Sequence, residues 1–469
     1  MTSRCVNPVI ADGTAALETA VAKARADPTR PVYHFRPPAQ WMNDVNGPLF
    51  HKGNYHIFYQ LNPYKPHVGD GIHWGHARSR DLVYWEHLPL AIWPSTEKGE
   101  TGCWSGTACF NGTGQPMIFY TKAGRLGPQR EAAEPFEQWA AIGDDDLINW
   151  TKHPDNPILE CERPDQPSFD WRWRDPFVFS EQGRTYMIVG AAGPGTPIYE
   201  AQDSELSRWA YRGFLCDISV ECPNFFKLGE KWVLITSPHN PVHYYIGSFD
   251  TERLTFEAET EGRIEETRTF YGTNVLFDDE LRCIFLGRLR RNKEDTTWNG
   301  CMALPRILTI GPDGYPRQIP VPELQKLRGK HHGISDVTLT GASRAIDGVS
   351  SDTLEIIAQL ELNDAACFGL KVRCSPDAIG AVAIRYDRQT LTVAGVDVSC
   401  PLDETRKSLR LHIFLDKSVI KVFVDDGRKV ATNFIDCSPA DLGIEVFAES
   451  GSATIRSLDI WELKPIWTR

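Results

Sequence analysis

Five times between Lys52 and Gly287 the chain repeats one local pattern, a polar turn, usually with glycine, followed by a short run dominated by apolar residues. The runs are KGNYHIFYQ from Lys52, GQPMIFYT from Gly114, QGRTYMIVG from Gln182, LGEKWVLIT from Leu228 and DELRCIFLG from Asp279. A short apolar run bounded by turn residues suits a buried strand inside a sheet. The repeats lie about 45 to 70 residues apart, which leaves room for further short strands such as HWGHARS and QWAAIGD. Several short strands per unit around a buried one describe a propeller blade. Five units predict an all-β, five-bladed β-propeller.

The pattern changes after LQKLRGKHHGISD, Leu324 to Asp336, beyond which no tryptophan occurs until Trp461. The strands TLEIIAQLEL, AVAIRYD, LRLHIFLD, SVIKVFVDD, LGIEVFAES and ATIRSLDIWEL alternate more cleanly and are separated by Gly, Asp and Asn turns. They predict a β-sandwich of two antiparallel sheets. Ahead of the propeller, Ala, Leu and Val recur at helical spacing from Ala15 to Ala24, and Asp27-Pro28 stops the pattern. The expected organisation is a helical extension over 1–30, a propeller over 31–335 and a sandwich over 336–469. Few carboxylates stand beside aromatics in the sandwich, so the chemistry is expected in the propeller.

The 469 residues carry a formal net charge of -12 and 14 Trp, an acidic, aromatic-rich composition that disfavours nucleic acid or an anionic membrane as partner. The basic run RLRRNK, Arg288 to Lys293, is followed by Glu294 and Asp295 and reads as a solvated loop. No secretory signal and no apolar run of transmembrane length is found, and the 12 Cys are scattered without a CxxC pair. Free thiols in a reducing, cytoplasmic compartment are the expectation. The patterns Asn111-Gly112-Thr113 and Asn149-Trp150-Thr151 match a glycosylation site but carry little weight without a signal. No HExxH or zinc-like spacing is present, so neither metal nor cofactor is expected. VGAAGPG (Val189 to Gly195) lacks the Lys-Ser/Thr of a phosphate loop.

Three acids fall at comparable places beside the repeated strands: Asp44 in WMNDVNG, Asp175 in WRWRDPFVF and Glu221 in SVECPNFF. Taken alone, AQWMNDVNGPLF reads as a strand-ending turn with a buried Trp. Each acid has aromatic or cyclic neighbours able to exclude water: Trp41, then Trp173 with Pro176, then Pro223 with Phe225. Such a setting raises a carboxyl pKa, unless an arginine or amide donors hold the charge. Arg174 is a candidate stabiliser of Asp175, although adjacent residues on a regular strand point to opposite faces. Any one of these acids reads as an ordinary turn residue. Three together, each amid aromatics, point to an active site.

The three motifs resemble the signature motifs of glycoside hydrolase family 32, the invertases and fructan hydrolases. YHFRPPAQ, IFYQLNP, HWGHARSRDLVYWEHLPLAIWPS, GCWSGTACF, WTKHPDNPIL, TFYGTN, NGCMALPR and LRLHIFLDKSVIKVFVDDG extend the similarity from Tyr33 to the C-terminus. The resemblance implies a five-bladed propeller with an appended sandwich. It makes Asp44 the nucleophile, Glu221 the acid/base and Asp175 the transition-state stabiliser that binds fructose hydroxyls. Trp41, Asn43, Gln60, Trp104, Ser105 and Arg174 match sugar-pocket positions, and Trp74 is expected as an aromatic wall on the leaving-group side. The chemistry expects amide donors from Asn43 or the Asn46-Gly47 backbone to hold Asp44 ionised, and an apolar, desolvated setting for Glu221. The chain departs from the family pattern at Val45, usually Pro, at Val220, commonly Trp, and at Asn224, usually acidic. These departures bear on the shape of the turn and pocket, and none removes a carboxylate. Lys421 stands where the sandwich often has an acid.

The implied activity is that of a retaining β-fructofuranosidase acting on sucrose or small fructo-oligosaccharides. Alternatives are a fructosyltransferase, a fructan hydrolase, an arabinofuranosidase-type propeller enzyme and a silent fructan-binding protein. Retention of all three acids argues against the last, and WMNDVNG against the arabinofuranosidase. The expected partner is a small carbohydrate, with a homo-oligomer through the sandwich left open.

Overall fold

The computed structural model describes residues 7–125, 136–376, 380–401 and 408–467. The chain divides into two compact units: Met1–Ala24, Phe35–Arg263 and Tyr271–Pro305 form the first, and Arg25–His34, Ile264–Phe270 and Arg306–Arg469 the second. The first is a β-propeller and the second a β-sandwich.

Each of the five apolar runs becomes the second strand of its sheet: Asn54–Asn62, Pro116–Ala123, Arg184–Gly190, Lys231–Thr236 and Cys283–Leu289. The strand before each one is Gln40–His51, Gly102–Phe110, Arg174–Glu181, Asn224–Leu228 or Phe270–Phe277. Tight hairpins join several of these pairs. Lys52-Gly53 and Gln182-Gly183 both take positive φ at two successive residues, the backbone twist that matches flanking antiparallel strands. Gln40 and Trp41 also pair in parallel with Trp298 and Asn299, which brings the end of this unit back to its first sheet.

The second strands are mostly apolar and mostly buried because neighbouring sheets cover both faces; all of Pro116–Ala123 is buried. One cluster joins Phe58 and Trp74 of the first sheet to Ile118, Tyr120 and Trp139 of the second. Another joins Met117 and Phe119 to Trp173, Val189 and Trp209. A further repeat lies at the outer turns. Leu82, Leu147 and Leu206 all adopt φ 60, and their carbonyls accept from the indole N–H of Trp85, Trp150 and Trp209 at 3.2, 2.9 and 3.0 Å. Asp81, Asp144 and Asp203 fix these turns by accepting from backbone N–H groups.

The sandwich has two six-stranded sheets. One is ordered Arg328–Thr340, Ser452–Leu463, Thr353–Leu362, Ser408–Asp416, Val419–Val424, Lys429–Phe434; the other runs from Ser343–Ala345 to Val396–Ser399. Leu354, Ile356, Leu370, Ile384, Leu411, Ile413 and Val446 fill the space between them. Asp416 ties the segment 25–34 to this unit by accepting from the N–H groups of Val32, Tyr33 and His34 at 2.8 to 3.0 Å. The N-terminal helix spans Pro8–Arg25, longer than its apolar spacing predicts. No helix among the described residues is long and apolar enough to cross a membrane.

Candidate active site

Asp44 and Asp175 sit within strands, whereas Glu221 lies in the bend that precedes the strand Asn224–Leu228. Asp44 lies within the strand Gln40–His51, at a register shift between Met42 and Val45. Trp104 and Ser105 occupy the shift between Cys103 and Gly106 of the next sheet. Asp175 occupies a shift between Arg174 and Phe177 of the third. A bulge re-aims one or two side chains while the strand continues. Here three successive sheets use one at the same end of the same strand, and their polar side chains converge.

Two glycines permit the approach. A Cβ on Gly272, at φ +52, would stand 2.1 Å from Asp44 Oδ1, and one on Gly47, at φ +43, would stand 2.6 Å from the Ala108 nitrogen. Asp175 itself takes φ 64, so the alternation that would separate it from Arg174 is broken and Arg174 Nε comes within 3.5 Å of its Oδ2. Thr121 Oγ1 accepts from the Asp175 N–H at 2.8 Å and donates to Gln138 Oε1 at 2.8 Å, a buried polar chain beneath the bulge.

Asp44 accepts from Ser105 Oγ at 2.6 Å and pairs with Arg288, whose Nε lies 3.1 Å from Oδ1. Asp175 Oδ2 accepts from the Cys222 N–H at 3.1 Å. The Cys222 thiol touches both acids, 3.4 Å from Asp44 Oδ2 and 3.5 Å from Asp175 Oδ2. Burial and these two carboxylates push that thiol well up, so it stays protonated and can donate to either. Glu221 is bound by Arg174 Nη2 at 3.0 Å on Oε1, and on Oε2 by His239 Nε2 at 2.8 Å and the Tyr271 hydroxyl at 3.1 Å.

Three carboxylates here face two arginines. Burial pushes the Asp175 carboxyl up to about 7, with Glu221 and Asp44 adding to the rise and Arg174 opposing it. Burial would raise Glu221 as well, but the donor from His239 and the charge of Arg174 outweigh it and hold the group below its ordinary value. Several buried polar atoms, Asn43 Oδ1, Asn46 Nδ2 and Arg174 Nη1 among them, have no hydrogen-bond partner within the protein. Buried polar groups are normally paired, so donors and acceptors left unpaired at one place suit a ligand rich in hydroxyls.

The structure brings Asp44, Ser105, Arg174, Asp175 and Glu221 together. Asn43 does not support Asp44; its amide donates to Gln60 Oε1, and Ser105 and Arg288 take the expected role. Trp41 is buried at the start of the same strand, in register with Asn62 and Asn299. Trp104 is half-buried against Phe136, with the Arg174 guanidinium 5.7 Å from its ring centre.

Four expectations are corrected. Trp74 is 0% exposed, packed against Phe58 and Tyr120, and its indole N–H donates to the Trp104 carbonyl at 3.0 Å. It braces Trp104 from behind and cannot wall a sugar. Trp173 is equally enclosed, its indole N–H donating to Tyr199 Oη at 3.1 Å. Glu221 is desolvated as expected, yet its carboxylate is met by the polar partners Arg174, His239 and Tyr271. RLRRNK is not a solvated loop throughout, because Arg288 closes the strand Cys283–Leu289 and is buried on Asp44.

Sequence reasoning missed Arg288, Tyr271, Gly272, Cys222 and His239. Of the departures, Asn224 accepts from Thr273 Oγ1 at 2.8 Å, a neutral hydrogen bond that needs no acid there. Lys421 is completely buried in the sandwich.

A propeller whose inner strands bulge to gather three carboxylates and two arginines is the scaffold of a glycoside hydrolase. The chain belongs to glycosyl hydrolases family 32: residues 34–318 match its N-terminal domain and residues 323–462 its C-terminal domain. It is 31% identical to a levanase of Bacillus subtilis over 93% of this chain and 71% of the relative. It is 30% identical to a sucrose-6-phosphate hydrolase of Zymomonas mobilis over 92% of each. Among solved structures, fructan 1-exohydrolase IIa of Cichorium intybus superimposes with a TM-score of 0.83 at 24% identity, over 94% of this chain and 98% of the other. The enzyme is a glycoside hydrolase of the invertase type, and its substrate is a small carbohydrate.

Proposed function

We propose that this enzyme is a retaining β-fructofuranosidase that releases terminal fructose from sucrose or small fructo-oligosaccharides. The observation that carries the reading is the opposite setting of two carboxylates. Asp44 is deeply buried and fixed between Ser105 and Arg288, as suits an ionised nucleophile of fixed aim. Glu221 is half-buried, with partners that can exchange, as suits a group that must give and take a proton.

In this mechanism Asp44 attacks C2 of the fructosyl group while Glu221 protonates the departing oxygen, and an ester joins Asp44 to fructose. Glu221 then takes a proton from water as the water oxygen attacks C2, which restores Asp44 and releases fructose with its configuration retained. Asp175 and Arg174 bind sugar hydroxyls, and their hydrogen bonds tighten as positive charge develops on the ring. Water at about 55 M outcompetes a sugar acceptor unless a subsite holds that acceptor at a large effective molarity.

One observation favours a phosphorylated leaving sugar as a second reading. The Arg290 guanidinium lies 3.8 Å over the Tyr271 ring and forms no ion pair among the described residues, so a free cation flanks the acid/base side. The test is product analysis on sucrose and on sucrose 6-phosphate at low concentration. Hydrolysis by the retaining route releases glucose, or glucose 6-phosphate, and free fructose in equal amounts, with β-fructofuranose formed first. Glucose in clear excess with fructose in oligosaccharides marks a transferase, and α-fructose formed first contradicts retention. A higher kcat/KM on the phosphorylated sugar selects the second reading.

A further inference from the structure

Both oxygens of Glu221 are occupied, and this raises a problem for an acid that must reach the departing oxygen. Oε1 is held by Arg174, and Oε2 by His239 and Tyr271. One partner has to yield. The Arg174 side chain is 7% exposed, also pairs with Asp175, and stacks 4.8 Å from the Trp171 ring centre. Tyr271 is 2% exposed, its hydroxyl lies within donating reach of both the Ser237 carbonyl and Glu221 Oε2, and it accepts from the His239 backbone N–H at 2.9 Å. The His239 imidazole is 68% exposed, and its polar side-chain partner is Glu221.

An N–H on His239 Nε2 favours the ionised form of Glu221 whether the ring is neutral or charged. The single Tyr271 hydroxyl proton can go to the Ser237 carbonyl or to Glu221 Oε2, so Tyr271 stays in place while the exposed His239 is the partner able to leave.

We propose that His239 is a positioning residue for the acid/base: it holds Glu221 ionised in the free enzyme and is displaced by the leaving sugar, after which Glu221 carries the proton. The proposal rests on the acid/base reading of Glu221. The titratable and charged groups around the pair are Arg174, Asp175 and Cys222 beside Glu221, Tyr271 with Arg290 stacked on it, and Arg288 with Asp44 behind. Glu221 takes its proton up from solvent, which its 17% exposed side chain reaches.

The experiment compares the alkaline limbs of kcat/KM, which reports the free enzyme, and kcat, which reports the complex, in the native enzyme, His239→Ala and His239→Gln. In the native enzyme the kcat/KM limb lies at lower pH than the kcat limb. His239→Ala raises the kcat/KM limb by roughly one half to one pH unit, the worth of one hydrogen bond, and closes the gap. His239→Gln retains an N–H donor and restores the gap. An unmoved kcat/KM limb in His239→Ala, equal movement of both limbs, or no gap in the native enzyme overturns the proposal. Azide rescue of Glu221→Ala, run alongside, distinguishes the two failures. Unmoved limbs with rescue intact remove the role of His239 alone, whereas failed rescue removes the acid/base reading and the proposal with it.

Discussion

The two units each bury an arginine against a carboxylate, and the two pairs are built differently. In the second unit Arg306 donates through Nη2 to Glu265 and through Nη1 to Gln318, and it lies 4.1 Å from the Phe270 ring centre. Glu265 also accepts from Thr432 Oγ1 at 3.0 Å, and the Gln318 amide is anchored on the Ile264 carbonyl at 2.5 Å. In the first unit Arg288 Nε faces Asp44 Oδ1 at 3.1 Å, yet neither atom has a hydrogen bond of good geometry. Two more carboxylates stand nearby with one more arginine. Arg306 keeps only its Nε unpaired while both Nη atoms bond the partners that face them, so this pair belongs to the architecture; an acid-rich group in which the facing atoms of the ion pair themselves make no hydrogen bond is organised for something that arrives later.

The largest expected effect separates the two pairs by activity. Asp44→Asn retains shape and removes the nucleophile, so kcat falls by roughly a thousandfold or more. The fold is retained, because removing one charge from a crowded group of three carboxyls relieves repulsion as it unpairs Arg288. Steady-state rates beside a thermal melt check both halves, and near-native turnover removes Asp44 from its role.

Glu265→Ala is expected to do the reverse. It strands a completely buried guanidinium and costs about 3 to 5 kcal/mol of stability. Urea denaturation reads the loss, and the molecules that remain folded keep their kcat. A stability change below about 1 kcal/mol would place this pair with the surface ion pairs instead.

The last effect concerns pH. The folded-state carboxyl of Asp175 lies near 7, raised first by burial, against an unfolded value of about 3.9. Between these values the unfolded chain has released the proton and the folded protein has not, so Asp175 costs stability as pH rises through this window. Asp175→Asn removes that cost. Its Tm should gain on the native enzyme as pH goes from 4 to 7 and hold the gain above 7. A gain that shrinks over that range gives the raised carboxyl to another group.

Much of this architecture is legible in the chain. The five apolar runs are strands because burial on both faces leaves a continuous apolar signal, and Thr353–Leu362 coincides with the run TLEIIAQLEL. The outer turns carry an equally regular signal in RDLVYW, DDLINW and SELSRW, each an acid, a leucine and a tryptophan. The three carboxylates were legible from their motifs; their geometry was not. Alternation along a strand separates Arg174 from Asp175, and only a bulge with Asp175 at positive φ reunites them. Arg288, Tyr271 and His239 reach the site from strands and loops far along the chain, and local pattern says nothing of such meetings. Trp74 shows the converse, a tryptophan in a motif-rich stretch whose ring is wholly committed to packing.

The central claim, a covalent fructosyl intermediate on Asp44 formed and broken with help from Glu221, is tested most directly in Glu221→Ala. With a fructoside bearing an activated leaving group, the first step needs no acid and the second stalls for want of a base. Azide needs no base, so the account predicts that it restores turnover and that the product is β-fructofuranosyl azide, of retained configuration. Turnover unaffected by azide, or an azide product of inverted configuration, would contradict it.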